Sequence, residues 1–117
     1  MNKKQLHVLQ QARVTYGFKT QIAVSAEECC ELAKELLKYL RYETHDLAVK
    51  ETKDSVVSEA ADVTITLDHI MNVFEISEDE LNQAIEQKIQ RLSRWLNTNE
   101  SIEYTTKDRE LSTQELQ

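Results

Sequence analysis

The sequence predicts an all-α fold: a helical bundle with two long antiparallel central helices, its core completed by oligomerisation. Three observations carry that expectation. The 117 residues include one glycine and no proline, too few for the frequent turns of a sandwich, a barrel or a βαβ fold. Apolar residues make up 40% of the chain and charged residues 30%, the balance that amphipathic helices show in aggregate. Apolar positions also recur three and four apart along most of the chain, which is the helical period. One Trp, four Tyr and two Phe supply little bulk for a private core. Long helices so composed commonly bury their apolar faces against further copies, and a homodimer or homotetramer is expected.

The elements follow in order. Residues 3–15 carry a stripe of Leu6, Val8, Leu9, Ala12 and Val14 and form the first helix. Gly17 ends it, at the position where a helix favours glycine. The second helix runs from about Gln21 to Arg41. Its seam of Ile22, Ala26, Cys29, Ala33, Leu36 and Leu40, spaced by fours and threes, suits a helix–helix interface. Residues 42–46 interrupt the pattern, with Asp46 as a possible N-cap. The third helix starts near Leu47 or near Ser55 and reaches Phe74, its apolar face being Val56, Ala60, Val63, Leu67, Ile70 and Phe74. Ser77-Glu78-Asp79-Glu80 reads as a capping box, opening a fourth helix with a stripe of Leu81, Ile85, Ile89, Leu92 and Leu96. Residues 1–97 thus form one domain and residues 98–117 a polar tail.

The charge excludes one class of partner. Fourteen Lys and Arg against 21 Asp and Glu leave −7, whereas a nucleic-acid binder carries a basic excess. No apolar run approaches the ~18 residues of a membrane span, and no apolar segment of a secretory signal follows the N-terminus. Cys29 and Cys30 are helix neighbours pointing about 100° apart, which makes a disulfide between them difficult. They read as free thiols of a reducing compartment, so a cytoplasmic location is expected.

The chemistry lies in the carboxylates. The second helix carries Glu27, Glu28 and Glu31, and the third Glu59 and Asp62. Residues three apart share a helix face, so Glu28/Glu31 and Glu59/Asp62 are two acidic pairs. On antiparallel helices the pairs can converge, and such a group is stable only around a cation. An all-oxygen donor set selects a hard divalent ion, Mg²⁺ or alternatively Mn²⁺. By spacing alone the same acids suit solvated helix faces better. Ser25-Ala26-Glu27-Glu28 is also a capping box, and Glu31 lies nearly opposite the Ile22–Cys29–Leu36 seam. Val24, Leu32 and Tyr39 nevertheless form a second apolar strip beside Glu28.

Glu27-Glu28-Cys29-Cys30-Glu31 followed by Glu59-Ala60-Ala61-Asp62 resembles the EExxE…ExxD signature of the MazG-like nucleotide pyrophosphohydrolases. These belong to the all-α NTP pyrophosphatase superfamily. The likeness covers roughly residues 15–96, with a long gap between its two halves. It implies Glu28, Glu31, Glu59 and Asp62 as metal ligands and Glu27 as a catalytic group that orients water or completes a second ion's shell. Downstream, Asn82, Lys88 and Arg91 fall where the family often holds substrate phosphates; Lys88 and Arg91 fit a solvated helix face equally well. Lys38 and Arg41 are lesser candidates for that role. Tyr16, Phe18 and Trp95 are candidates for stacking on a base, or for the core.

The implied reaction is Mg²⁺-dependent hydrolysis of a (d)NTP to (d)NMP and pyrophosphate. Metal bridges would reconcile an acidic protein with an anionic substrate. Phosphoribosyl-ATP, dUTP or dCTP could serve as the specific substrate, since nothing in the sequence selects a base. Outside enzymes, the alternative is a helical oligomerisation or adaptor module with acidic faces.

Overall fold

A computed structural model describes residues 1–42 and 46–98, and every element among them is a helix. In chain order these are α1 (Lys3–Tyr16), α2 (Phe18–Tyr42), α3 (Asp46–Val73) and α4 (Glu78–Thr98). The all-α class stands, and α3 takes the earlier of the two starts that its pattern left open. Residues 43–45 of the break, and the tail from residue 99 onward, lie outside the described residues.

Local chemistry fixes the ends. Asn2 caps α1: its side chain accepts from the Gln5 amide while the Gln5 side chain accepts from the Asn2 amide, both at 2.8 Å. This reciprocal pair satisfies two otherwise orphaned donors. Gly17 ends α1 at φ +83°, ψ 162°, a conformation open almost only to glycine. Its N–H closes on the Arg13 carbonyl at 2.9 Å, and its own carbonyl accepts from Gln21 in the first turn of α2. Glu75, at φ +53°, ends α3. There the Ile76 amide reaches back to the Met71 carbonyl at 2.8 Å and the Glu75 amide to Asn72 at 3.3 Å, a Schellman closure with Glu in the place glycine usually takes.

The chain divides into two compact units, Met1–Ser77 and Glu78–Gln117. In the first, α2 and α3 pack on each other and α1 lies against both. The second holds α4, which opens with Glu78, Asp79 and Glu80 in its first turn, where acids favour the helix dipole. Its stripe of Leu81, Ile85, Ile89, Leu92 and Leu96 is exposed.

The interior of the first unit corrects the expected seam. No apolar side chain among the described residues is buried; the buried ones are Gln21, Ser25, Thr52, Thr66 and His69. On α2 the sequestered positions are Gln21, Ser25, Glu28, Leu32, Glu35 and Lys38, a narrow stripe at spacings of four and three. The seam read from the sequence lies about 100° round the helix from it and points outward: Ile22 is 37%, Leu36 48% and Leu40 63% exposed. On α3, Val56, Ala60, Val63 and Ile70 are half-buried, while Leu67 and Phe74 are exposed. Hydroxyls can line this interior because they bond to their own helices. Ser25 donates to the Gln21 carbonyl at 2.6 Å and Thr66 to the Val63 carbonyl at 2.8 Å.

Candidate metal centre

Glu28 belongs to the sequestered stripe of α2, and Glu59 and Asp62 sit one turn apart on α3. Packing the two helices brings one carboxylate oxygen of each to within 4.8 Å of the others. All three residues are half-buried. Oxygens on opposite sides of an octahedral Mg²⁺ stand about 4.2 Å apart, twice the usual bond length, so a group no wider than 4.8 Å is near the span of one hard cation's shell.

The electrostatics carry the mark of crowding. Partial burial raises the Glu28 carboxyl above its ordinary 4.5, and the Asp62 and Glu59 carboxylates push the same way. A side-chain hydrogen bond with Asp62 and the charge of Glu31 add to the rise. Glu59 Oε2 is buried with no hydrogen-bond partner. A buried acceptor left unpaired costs about 1–3 kcal/mol, more when charged, unless something binds it. Three converging carboxylates, Glu59 among them with an unpaired buried oxygen, are a donor set that a divalent ion of the Mg²⁺ or Mn²⁺ kind could take.

The other residues singled out in the sequence are placed as follows. Glu31 is exposed, about 60° round α2 from Glu28, and lies outside the three-oxygen group while still contributing its charge. Glu27 is exposed one residue before Glu28. Lys88 and Arg91, with Asn82, are exposed on α4 in the second unit. Lys38 is engaged by Glu35 at 3.2 Å, and Arg41 is exposed. Tyr16, Phe18 and Trp95 are all exposed; none of the three is core.

Sequence reasoning missed a second polar cluster. Arg13 of α1 reaches α3, donating to Asp68 Oδ2 at 2.9 Å and to His69 Nδ1 at 3.1 Å. The partners lie 55 and 56 residues away, so no local spacing signals them. The repeat of 21, 25, 28, 32, 35 and 38 on α2 was visible, but its polar members disguised it as a solvent face. No family model, curated protein or solved structure matches this chain. The likeness to MazG-like enzymes therefore rests on the chain's own residues.

Proposed function

We propose that this chain is a divalent-metal-dependent nucleoside triphosphate pyrophosphohydrolase of the MazG-like kind. The observation that carries the reading is the meeting of Glu28, Glu59 and Asp62, with Glu59 Oε2 buried and unpaired. Glu28, Glu59 and Asp62 would hold the ion, with Glu31 reaching in from the adjoining face. When bound, a divalent cation supplies positive charge against the charge that builds on phosphate oxygens during in-line displacement. Glu27 would take the proton of the attacking water. That water's oxygen adds to phosphorus, the bond between the α and β phosphates breaks, and pyrophosphate leaves. Lys88 and Arg91, three apart on α4, offer an anion a point charge and a planar fork.

The assembly belongs to the same reading. Three residues separate α2 from α3, and helices so closely joined and packed on each other form an antiparallel hairpin. Its outward apolar strips would meet those of other copies in a homodimer or homotetramer in the cytoplasm. The deciding experiment is pyrophosphate release from a panel of NTPs and dNTPs with Mg²⁺, Mn²⁺ or EDTA. Release with metal and none in EDTA is expected. No release from any nucleotide by a folded, oligomeric sample would leave the adaptor module in its place.

A further inference from the structure

Among the described residues α1 buries no side chain, and three polar contacts tie it down. Gln21 Nε2 donates to the Ala12 carbonyl at 3.4 Å, and Arg13 makes its two bonds to Asp68 and His69. A guanidinium only donates, so Nδ1 of His69 must be the acceptor and the ring proton lies on Nε2. The contact therefore requires neutral His69. That ring is 5% exposed and takes no part in the proposed reaction. Beside it, α1 and α3 form the walls of a groove of about 770 Å³, with Leu6, Val14 and Phe18 among its apolar lining.

We propose that Arg13, Asp68 and His69 form a proton-released latch: protonating His69 frees α1 from α3 and opens the groove between them, with Gly17 as the hinge. The added proton on Nδ1 would face a guanidinium N–H, replacing an acceptor by a second donor and setting two cations side by side. Asp68, whose Oδ2 already accepts from Arg13, would then be the single counter-charge for two cations in a part-buried site. The surroundings favour that sign. From α1 the facing charge is Arg13, with Lys3 and His7 elsewhere along the groove. From α3 it is Asp68. From α2, Gln21, which bonds the Ala12 carbonyl beside Arg13, is buried and uncharged, and residues 20–26 carry no charge. Burial first, then Arg13, lowers His69 below its ordinary 6.5, with Asp68 opposing. The latch thus holds above 6.5 and loosens as pH falls from there to the lowered value. Gly17 already occupies a conformation available almost only to glycine, and no atom lies within 4 Å of where its Cβ would be, so the chain has room to swing there.

Hydrogen exchange on the full-length protein in saturating Mg²⁺, corrected for the intrinsic effect of pH, tests the latch. Below about 6.5, amides of residues 3–16 should gain exchange relative to those of α3 by up to about tenfold per pH unit, the limit for one proton. His69→Gln keeps an acceptor oxygen and cannot gain a proton, so it should hold α1 closed at pH 5. His7→Gln should behave as wild type. Parallel exchange of α1 and α3 in the wild-type protein at every pH would overturn the proposal, whatever the variants do. So would an onset above 6.5, or release that survives in His69→Gln or disappears in His7→Gln.

Discussion

Glu28, Glu59 and Asp62 share a small, partly dry space, and each should respond to substitution in the way a ligand does. Glu28→Gln, Glu59→Gln and Asp62→Asn keep volume and remove the charge that an ion needs. Each should cut metal-dependent turnover at least about a hundredfold, and Glu31→Gln should do the same if its side chain turns inward. In EDTA the three should be no less stable than wild type, because they relieve repulsion; thermal melts beside pyrophosphate assays separate the two effects. Wild-type turnover in any two of the four would dismiss the site. Glu28 also sets a pH signature. Its folded-state value lies above the ordinary 4.5, so its contribution to stability is complete below 4.5 and is lost as pH rises through the folded value. With EDTA, the melting temperature of wild type relative to Glu28→Gln should therefore fall across that window. Saturating Mg²⁺ should remove the fall, since a bound ion holds the carboxylate ionised. Glu59 and Asp62 were legible because three-residue spacing put them on one helix face; the same spacing paired Glu28 with Glu31, which lies exposed outside the group. Arg13, Asp68 and His69 were not legible, because their meeting depends on how α1 folds back on α3.

The breaks before α2 and α4 were legible from punctuation and period; the start of α3 and the orientation of the helices were not. Gly17 in a Pro-free chain announced the α1–α2 break, and Ser77 with the acids after it announced α4. The inward face of α2 was misread because apolar periodicity normally marks the buried side, whereas here Gln21, Ser25 and Glu28 lie inward and Ile22, Leu36 and Leu40 outward. A helix built around an acidic centre inverts the usual pattern locally, and its apolar strip is left for another surface. The two irregular ends give stability tests. Gly17→Ala should destabilise by about 1–3 kcal/mol through strain at φ +83°, read by chemical denaturation. Glu75→Gly should stabilise by about 1 kcal/mol, since Glu pays for the left-handed φ of +53°. On α4, Lys88→Ala and Arg91→Ala should each lower kcat/KM by roughly ten- to a hundredfold, the loss of one charge-assisted contact of about 1.5–3 kcal/mol. Changes within about twofold in both would return them to the solvated face.

At the scale of the whole molecule, no apolar side chain among the described residues of the first unit is fully buried; Leu32, Val56, Ala60, Val63 and Ile70 are half-buried, so one copy recovers only part of the usual source of folding energy. Hydrophobic burial is the dominant favourable term, and a fully buried Leu contributes about 1.5–3 kcal/mol. Ile22, Leu36, Leu37 and Leu40 on α2, with Leu67 and Phe74 on α3, remain 37–63% exposed within one copy. Association of copies through these strips would recover that term, and folding and assembly would then be one event whose midpoint depends on concentration. Sedimentation at micromolar concentration should show a dimer or tetramer, and the melting temperature should rise with protein concentration. In a two-fold interface every residue acts twice, so Leu36→Glu should weaken assembly by at least about a hundredfold, from two lost Leu burials per contact. Leu40→Glu should act likewise. The acidic centre is internal to one copy, so loss of turnover in these variants should track unfolding and return at high protein concentration. A stable wild-type monomer with a concentration-independent melt would remove the oligomeric core, and the half-buried apolar residues and polar interior of one copy would then suffice to fold it.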